Sequence, residues 1–257
     1  MTGGAGIARL TPAFSSGVCH GYIHSVFESA ANAAFFLGGE QRLLTLAARG
    51  MPKTPDSLSV PEPWLRLLAE GQEACLEVRE TNGAFRADGQ PLAFTRDMGW
   101  DGHIPAYGGL PAASAFHGAA DGLEDGFCHM PPRAREAALA ALTTPQAPQW
   151  LGLGPGLTPS FDDACVGLLA VCRAAGKPAP FQFTDFSATT DVSARYLRLA
   201  QEGYFCEPLC ELAEALFSPG KSAGVRQRVI RMAAYGATSG KDVLRGVGAG
   251  LNLLLST

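Results

Sequence analysis

No uninterrupted apolar stretch in this sequence reaches the roughly 18 residues of a membrane-spanning helix. The N-terminus also lacks the basic start and apolar run of a secretory signal, so neither membrane insertion nor export is expected. Charge is sparse, at 17% of residues with a formal net of −4, and the Lys and Arg are scattered. Nothing here forms the basic stripe that nucleic acid or an anionic membrane surface would require. The seven cysteines are an odd number without a paired CxxC spacing. With Cys165 and Cys172 in apolar surroundings, they point to reduced thiols and a cytoplasmic location. No Ser-His-Asp or Cys-His arrangement is readable, which sets hydrolysis through a covalent nucleophile well behind other chemistries.

What is present is enough apolar material for a sizeable core: 257 residues, 47% of them hydrophobic, suit one large or two small domains. Residues 1–95 read as β-rich. Val18–Phe27, Leu43–Ala47, Cys75–Glu80 and Leu92–Thr95 are short runs bounded by Gly, Pro or Asn. Phe27–Leu37 also fits a helix, Trp64–Gly71 reads as one, and Asn82-Gly83 suggests a tight hairpin turn. His20 and His24 could share a face but find no third metal ligand, which favours a structural or surface pair. Residues 96–132 are irregular, dense in Gly and Pro, and hold Trp100, His103, Tyr107, Phe116, His117, Cys128 and His129. Such a segment is either a lid or partner-binding loop, or a variable insertion. Residues 133–257 read as mainly helical, from alanine-rich Ala134–Leu142 to apolar Asp242–Leu255, with a short extended piece at Phe181–Ala188. Cys206 and Cys210 read as core, and Arg226, Arg228 and Arg231 as a solvated face. The fold class expected is α+β, a β-rich N-terminal portion followed by a helical portion that carries two glycine-rich turns into helices.

The first of those turns is the focus of the chain. In LGLGPGLTPSFDDACVGLLAVC, Leu151 to Cys172, Gly152, Gly154 and Gly156 can take positive φ and let backbone approach a ligand. Thr158, Pro159 and Ser160 read as a helix start, with Ser160 and Asp163 spaced like a capping box. The helix that follows is apolar on nearly every side and therefore buried. Its N-terminus brings unpaired N–H groups and a partial positive charge to the rim of a core, beside Asp162 and Asp163. That combination suits an anion if a Lys or Arg intervenes, a metal ion, or nothing more than helix capping. A second segment, GATSGKDVLRG from Gly236 to Gly246, repeats the grammar: Ser239, Asp242 and Gly246 match Ser160, Asp163 and Gly167. Gly246 and Gly250 lie four apart, as helices that pack closely require.

LGLGPGLTPSFDD with its apolar helix, YGATSGKDVLRGVGAGL near the end, and the opening GYIHSVFESAANAAFFL with RLLTLAARGMPKTPDSLSV carry a resemblance to a known family. The chain resembles the family of AllH-type subunits of oxamate carbamoyltransferase over most of its length. The family pattern has Gly where this chain has Phe161, so a bulky side chain stands where close backbone approach is expected.

The resemblance implies a subunit of a carbamoyltransferase system in anaerobic purine (allantoin) degradation, interconverting oxalurate and phosphate with oxamate and carbamoyl phosphate. The two turns are expected to meet in one cleft that binds a small anionic substrate through Gly154, Gly156, Thr158, Ser160, Thr238, Ser239 and Gly240. Lys241 would neutralise charge and polarise a carbonyl, and Asp162, Asp163 or Asp242 would position an amine or bind Mg²⁺. The alternative is a non-catalytic scaffold or ligand-binding subunit whose glycine turns only pack helices while partner subunits hold the active site.

Overall fold

Alternation of apolar and polar residues gives the first hundred positions strands with one buried face. Glu73–Val78 buries Ala74, Leu76 and Val78; Asn82–Ala87 buries Phe85 and Ala87; Gln90–Arg96 buries Leu92 and Phe94. With Gly6–Arg9, Gly17–Val26, Ala30–Leu37, Glu40–Ala48 and Ser57–Val60, these are strands β1 to β8 in chain order, β6 to β8 being the three just named. The computed structural model describes residues 6–14, 16–111, 127, 130–218 and 224–256. Phe116, His117, Cys128 and His129 therefore lie outside the described residues. The chain divides into two units, Met1–Gly102 and His103–Thr257.

In the first unit the strands close into a barrel in the order β1-β5-β4-β3-β2-β6-β7-β8. Neighbours are antiparallel except β4 with β5 and β1 with β8, which run parallel. The interior is a packed core, because a short helix α1, Glu62–Leu65, sends Trp64 against Phe85 with ring centroids 5.6 Å apart. Phe85 in turn meets Phe35, and Phe35 meets Phe14, each edge to face.

Three readings of this unit are corrected. Ala30–Leu37 is a strand paired on both sides, not a helix. Its alanines favour helix locally, but Ala31, Asn32, Ala33, Ala34 and Phe35 are all buried, so tertiary pairing overrides propensity. Asn82-Gly83 is the start of β7, not a turn; the connection runs through 79–81. A Cβ on Gly83 would stand 2.1 Å from the Glu77 carbonyl oxygen and 2.4 Å from the Phe94 ring, so this glycine serves close strand contact. The helix expected over Trp64–Gly71 stops at Leu65 and gives way to turns. His24 is the extra residue of a bulge in β2, where pairing steps from Ile23↔Ala33 to Ser25↔Asn32.

The second unit contains α2 (Pro132–Leu142), a 3₁₀ turn (Ala147–Trp150), α3 (Ser160–Ala175), α4 (Asp191–Glu202), α5 (Glu207–Phe217), α6 (Val225–Ala233) and α7 (Ser239–Leu255). The piece at 181–188 forms no strand. Helix α3 is the centre: every residue except Val166 and Arg173 is buried. It ends at Gly176, whose φ of 67° provides the left-handed cap.

Helices α3 and α7 touch backbone to backbone. A Cβ on Gly246 would lie 1.8 Å from the Ala164 carbonyl oxygen, and one on Gly167 would lie 2.0 Å from that of Val243. Further along, Gly250 faces Val171. The pairs Thr158–Ser239, Ala164–Gly246 and Val171–Gly250 advance together along both helices, so the two run in the same direction, with their N-termini side by side. Among the described residues no helix is long and apolar enough to cross a membrane.

Candidate functional site

The parallel α3/α7 pair brings the two glycine-rich turns together: the hydroxyls of Thr158 and Ser239 are hydrogen-bonded at 2.8 Å. Gly152, Gly154 and Gly156 have φ of 79°, 124° and 91°, and Gly236 has 66°. For Gly154 the conformation is forced, since a Cβ there would stand 2.5 Å from the Ser160 amide nitrogen.

The helix starts differ from the capping-box expectation. Pro159 is the N-cap of α3 and Thr238 that of α7, and neither helix has a side-chain cap hydrogen bond. Buried Ser160 is instead the first helical residue. Several first-turn donors are already used: the Phe161 N–H donates to the Leu153 carbonyl (3.0 Å) and the Gly240 N–H to the Tyr235 carbonyl (2.8 Å). Phe161 itself is fully buried, its ring against Trp150, so its bulk is taken up by the core and does not stand in the turn.

The three aspartates have distinct surroundings. Asp162 ties the turn together: its Oδ1 accepts from the Gly152 N–H (2.9 Å), and its Oδ2 accepts from the Ser193 hydroxyl (2.6 Å) and from the Thr189 hydroxyl. Asp242 accepts from the Phe127 N–H at 2.6 Å. Asp163 is 7% exposed, and its Oδ2 is enclosed without a hydrogen-bond partner among the described residues. Burial pushes the Asp163 carboxyl well above the ordinary carboxylate range. The Ser239 and Thr158 hydroxyls pull the other way, while Asp242 and Asp162 add like-charge repulsion.

Lys241 is exposed, and among the described residues it forms no salt bridge. A buried cation does occur in the same unit, at Arg195 on α4, whose guanidinium lies over the Tyr196 ring at 5.0 Å. It acts electrostatically on half-buried Tyr235, whose hydroxyl is held well above its ordinary range, chiefly by loss of solvation. Cys206 has its thiol pushed up to about 12, again chiefly by burial. Such a thiol is a poor nucleophile at neutral pH.

Arg195 is absent from the candidate residues above, although the sequence carries a signal for it. Val192, Arg195, Tyr196 and Leu199 follow helical spacing, which places an arginine on the apolar stripe. Thr189 and Ser193 carried no comparable signal, because their partner Asp162 is remote in sequence. Arg231, read as part of a solvated face, pairs with Glu207 (2.8 Å) and Glu211 (2.5 Å) and braces α6 against α5.

The fold and this junction define a two-part protein, a packed β-barrel followed by a helical unit in which two parallel helices bury carboxylates at their shared N-terminal end. Residues 4–91 match the AllH family N-terminal domain, and residues 150–251 match the family described as oxamate carbamoyltransferase subunit AllH. The chain belongs to the AllH family, whose members are subunits of oxamate carbamoyltransferase. No solved structure matches it.

Proposed function

We propose that this chain works with partner subunits in an oxamate carbamoyltransferase-like enzyme, and that the α3/α7 junction holds carbamoyl phosphate or a small carboxylate. The supporting observation is the enclosed Oδ2 of Asp163, without a hydrogen-bond partner among the described residues, beside the linked Thr158 and Ser239 hydroxyls. A buried polar atom left without a partner costs about 1–3 kcal/mol, so a ligand that meets it gains that amount back. Thr158, Ser160, Thr238, Ser239 and the backbone at Gly154, Gly156 and Gly240 supply the surrounding polar groups. Asp163 and Asp242 position the substrate's N–H groups, and Lys241 supplies positive charge at the rim. Asp162 is assigned to holding the turn, because its oxygens already accept from three protein donors.

Asp162 is committed to the protein, and among the described residues no group of three His, Cys, Asp or Glu side chains is arranged to hold a metal ion. No step is therefore assigned to a metal.

A second reading has its own support: Phe161 and Gly240 spend their N–H groups on protein carbonyls, as in a scaffold whose turns only pack helices. Calorimetric titration of the full chain with carbamoyl phosphate separates the two. If the junction is the site, Ser239→Ala should weaken binding at least tenfold, equivalent to about 1.4 kcal/mol, and Lys241→Ala should weaken it too. Unchanged affinity in both variants supports the scaffold.

A further inference from the structure

We propose that Asp163 acts as an un-ionised carboxylic acid that recognises a primary amide, pairing with the carbamoyl or carboxamide end of the substrate through two hydrogen bonds. This rests on the reading of the α3/α7 junction as the substrate site, and it names which end of the substrate that junction takes.

The geometry begins with the enclosed Oδ2, which has no partner among the described residues and lies on a residue 93% buried, given its 7% exposure. A carboxylate there offers only acceptors, and Asp162 and Asp242 stand close enough to repel its charge. Adding a proton removes that conflict, and burial favours the protonated form in the same direction. The acid then presents one donor and one acceptor side by side. A primary amide presents the complementary pair: Oδ2–H donates to the amide carbonyl, and Oδ1 accepts an amide N–H through a lone pair. A carboxylate ligand lacks the N–H and brings a second negative charge, so the same site rejects it.

Ser239 and Thr158 fit this arrangement. Their hydroxyls interact with the Asp163 carboxyl, fixing its orientation without supplying a full positive charge that would force it to ionise. No Lys or Arg forms a salt bridge with Asp163 among the described residues. A protein that used this group simply as an anion would be expected to provide such a partner.

The test exploits the fact that asparagine presents the same donor and acceptor pair without a titrating proton. The full chain is titrated calorimetrically with oxamate, which has an amide, and with oxalate, which has a carboxylate in its place, from pH 5.5 to pH 9. Inorganic phosphate is run in parallel. The expected result is wild-type binding of oxamate at least tenfold tighter than oxalate, weakening as pH rises through the raised value of Asp163. Asp163→Asn should keep oxamate affinity within threefold and lose the pH dependence, whereas Asp163→Ala should lose at least tenfold. Equal binding of oxamate and oxalate, or loss in Asp163→Asn as large as in Asp163→Ala, overturns amide pairing. If phosphate still binds in that case, the carbamoyltransferase reading of the junction stands; if no probe binds, both fail.

Discussion

Two adjacent aspartates in one helical turn do opposite work, and their partners decide which does what. Asp162 carries the links among the glycine turn, α3 and the start of α4, so Asp162→Ala would strand the Gly152 N–H and two hydroxyls. We expect a loss of about 2–4 kcal/mol in urea unfolding. Asp163 should behave in the reverse sense. Its carboxyl is raised in the folded chain above the ordinary 3.8, so the folded state prefers the protonated form. Its stabilising contribution is whole below pH about 4, and is lost as pH rises through the raised folded value. Asp163→Asn, neutral at every pH, should therefore melt higher than wild type at pH 8, with a gain that vanishes near pH 3. Each tenfold change in proton affinity corresponds to about 1.4 kcal/mol. A melting temperature that falls at pH 8 would show that the ionised carboxylate is needed for stability. The sequence revealed that acidic residues stand in this helical turn. It could not separate their roles, because the donors to Asp162 come from Thr189 and Ser193, some thirty positions away.

Between elements, the decisive contact is the parallel crossing of α3 and α7, and the repeated glycines were its visible trace. Gly246→Ala would drive a methyl to within 1.8 Å of a helix carbonyl that cannot move without shifting α3. We expect a loss of about 3 kcal/mol or more. At Gly250 the nearest obstacle is the Val171 Cβ at 2.9 Å, which side-chain rotation does not move, so the helices must part by a few tenths of an ångström, partly offset by a gain in helix propensity of up to about 1 kcal/mol. Gly250→Ala should cost about 1–2 kcal/mol, less than Gly246→Ala. Similar melting temperatures for the two variants would mean that the helices can separate without cost. Most helices of the C-terminal unit were legible because apolar residues recur at helical spacing, as in Val225, Val229 and Met232. The errors fell where local signals competed with tertiary pairing. Ala30–Leu37 reads as helix until β2 and β4 flank it, and Gly83 reads as a turn until Phe94 is seen against its missing Cβ.

At the scale of the whole molecule, β-richness was evident in the sequence but barrel closure was not, because alternation in single strands says nothing about their order. Closure depends on β1 pairing with β8 in parallel, Ile7 opposite Thr95, a contact between the two ends of the unit. It depends also on β5 crossing to lie between β1 and β4. Each unit has a hydrophobic core of its own, centred on Phe35, Phe85 and Trp64 in the barrel and on α3 in the helical unit. The described strands close on themselves and leave no unpaired edge among them, and the interior is filled by aromatic rings. Those features predict that Met1–Gly102, expressed alone, folds cooperatively. Its circular dichroism should be that of a β protein, and its urea unfolding should give coincident transitions by dichroism and by tryptophan fluorescence. Because so many pairings are distant in sequence, refolding should be slow for its size, in milliseconds to seconds. Phe85→Ala, which empties the centre of the ring cluster, should abolish the transition, since losing such a side chain costs about 3–5 kcal/mol against a domain stability of about 5–15 kcal/mol. A fragment that stays unfolded, or one whose unfolding ignores Phe85→Ala, would show that the barrel core does not sustain the fold unaided.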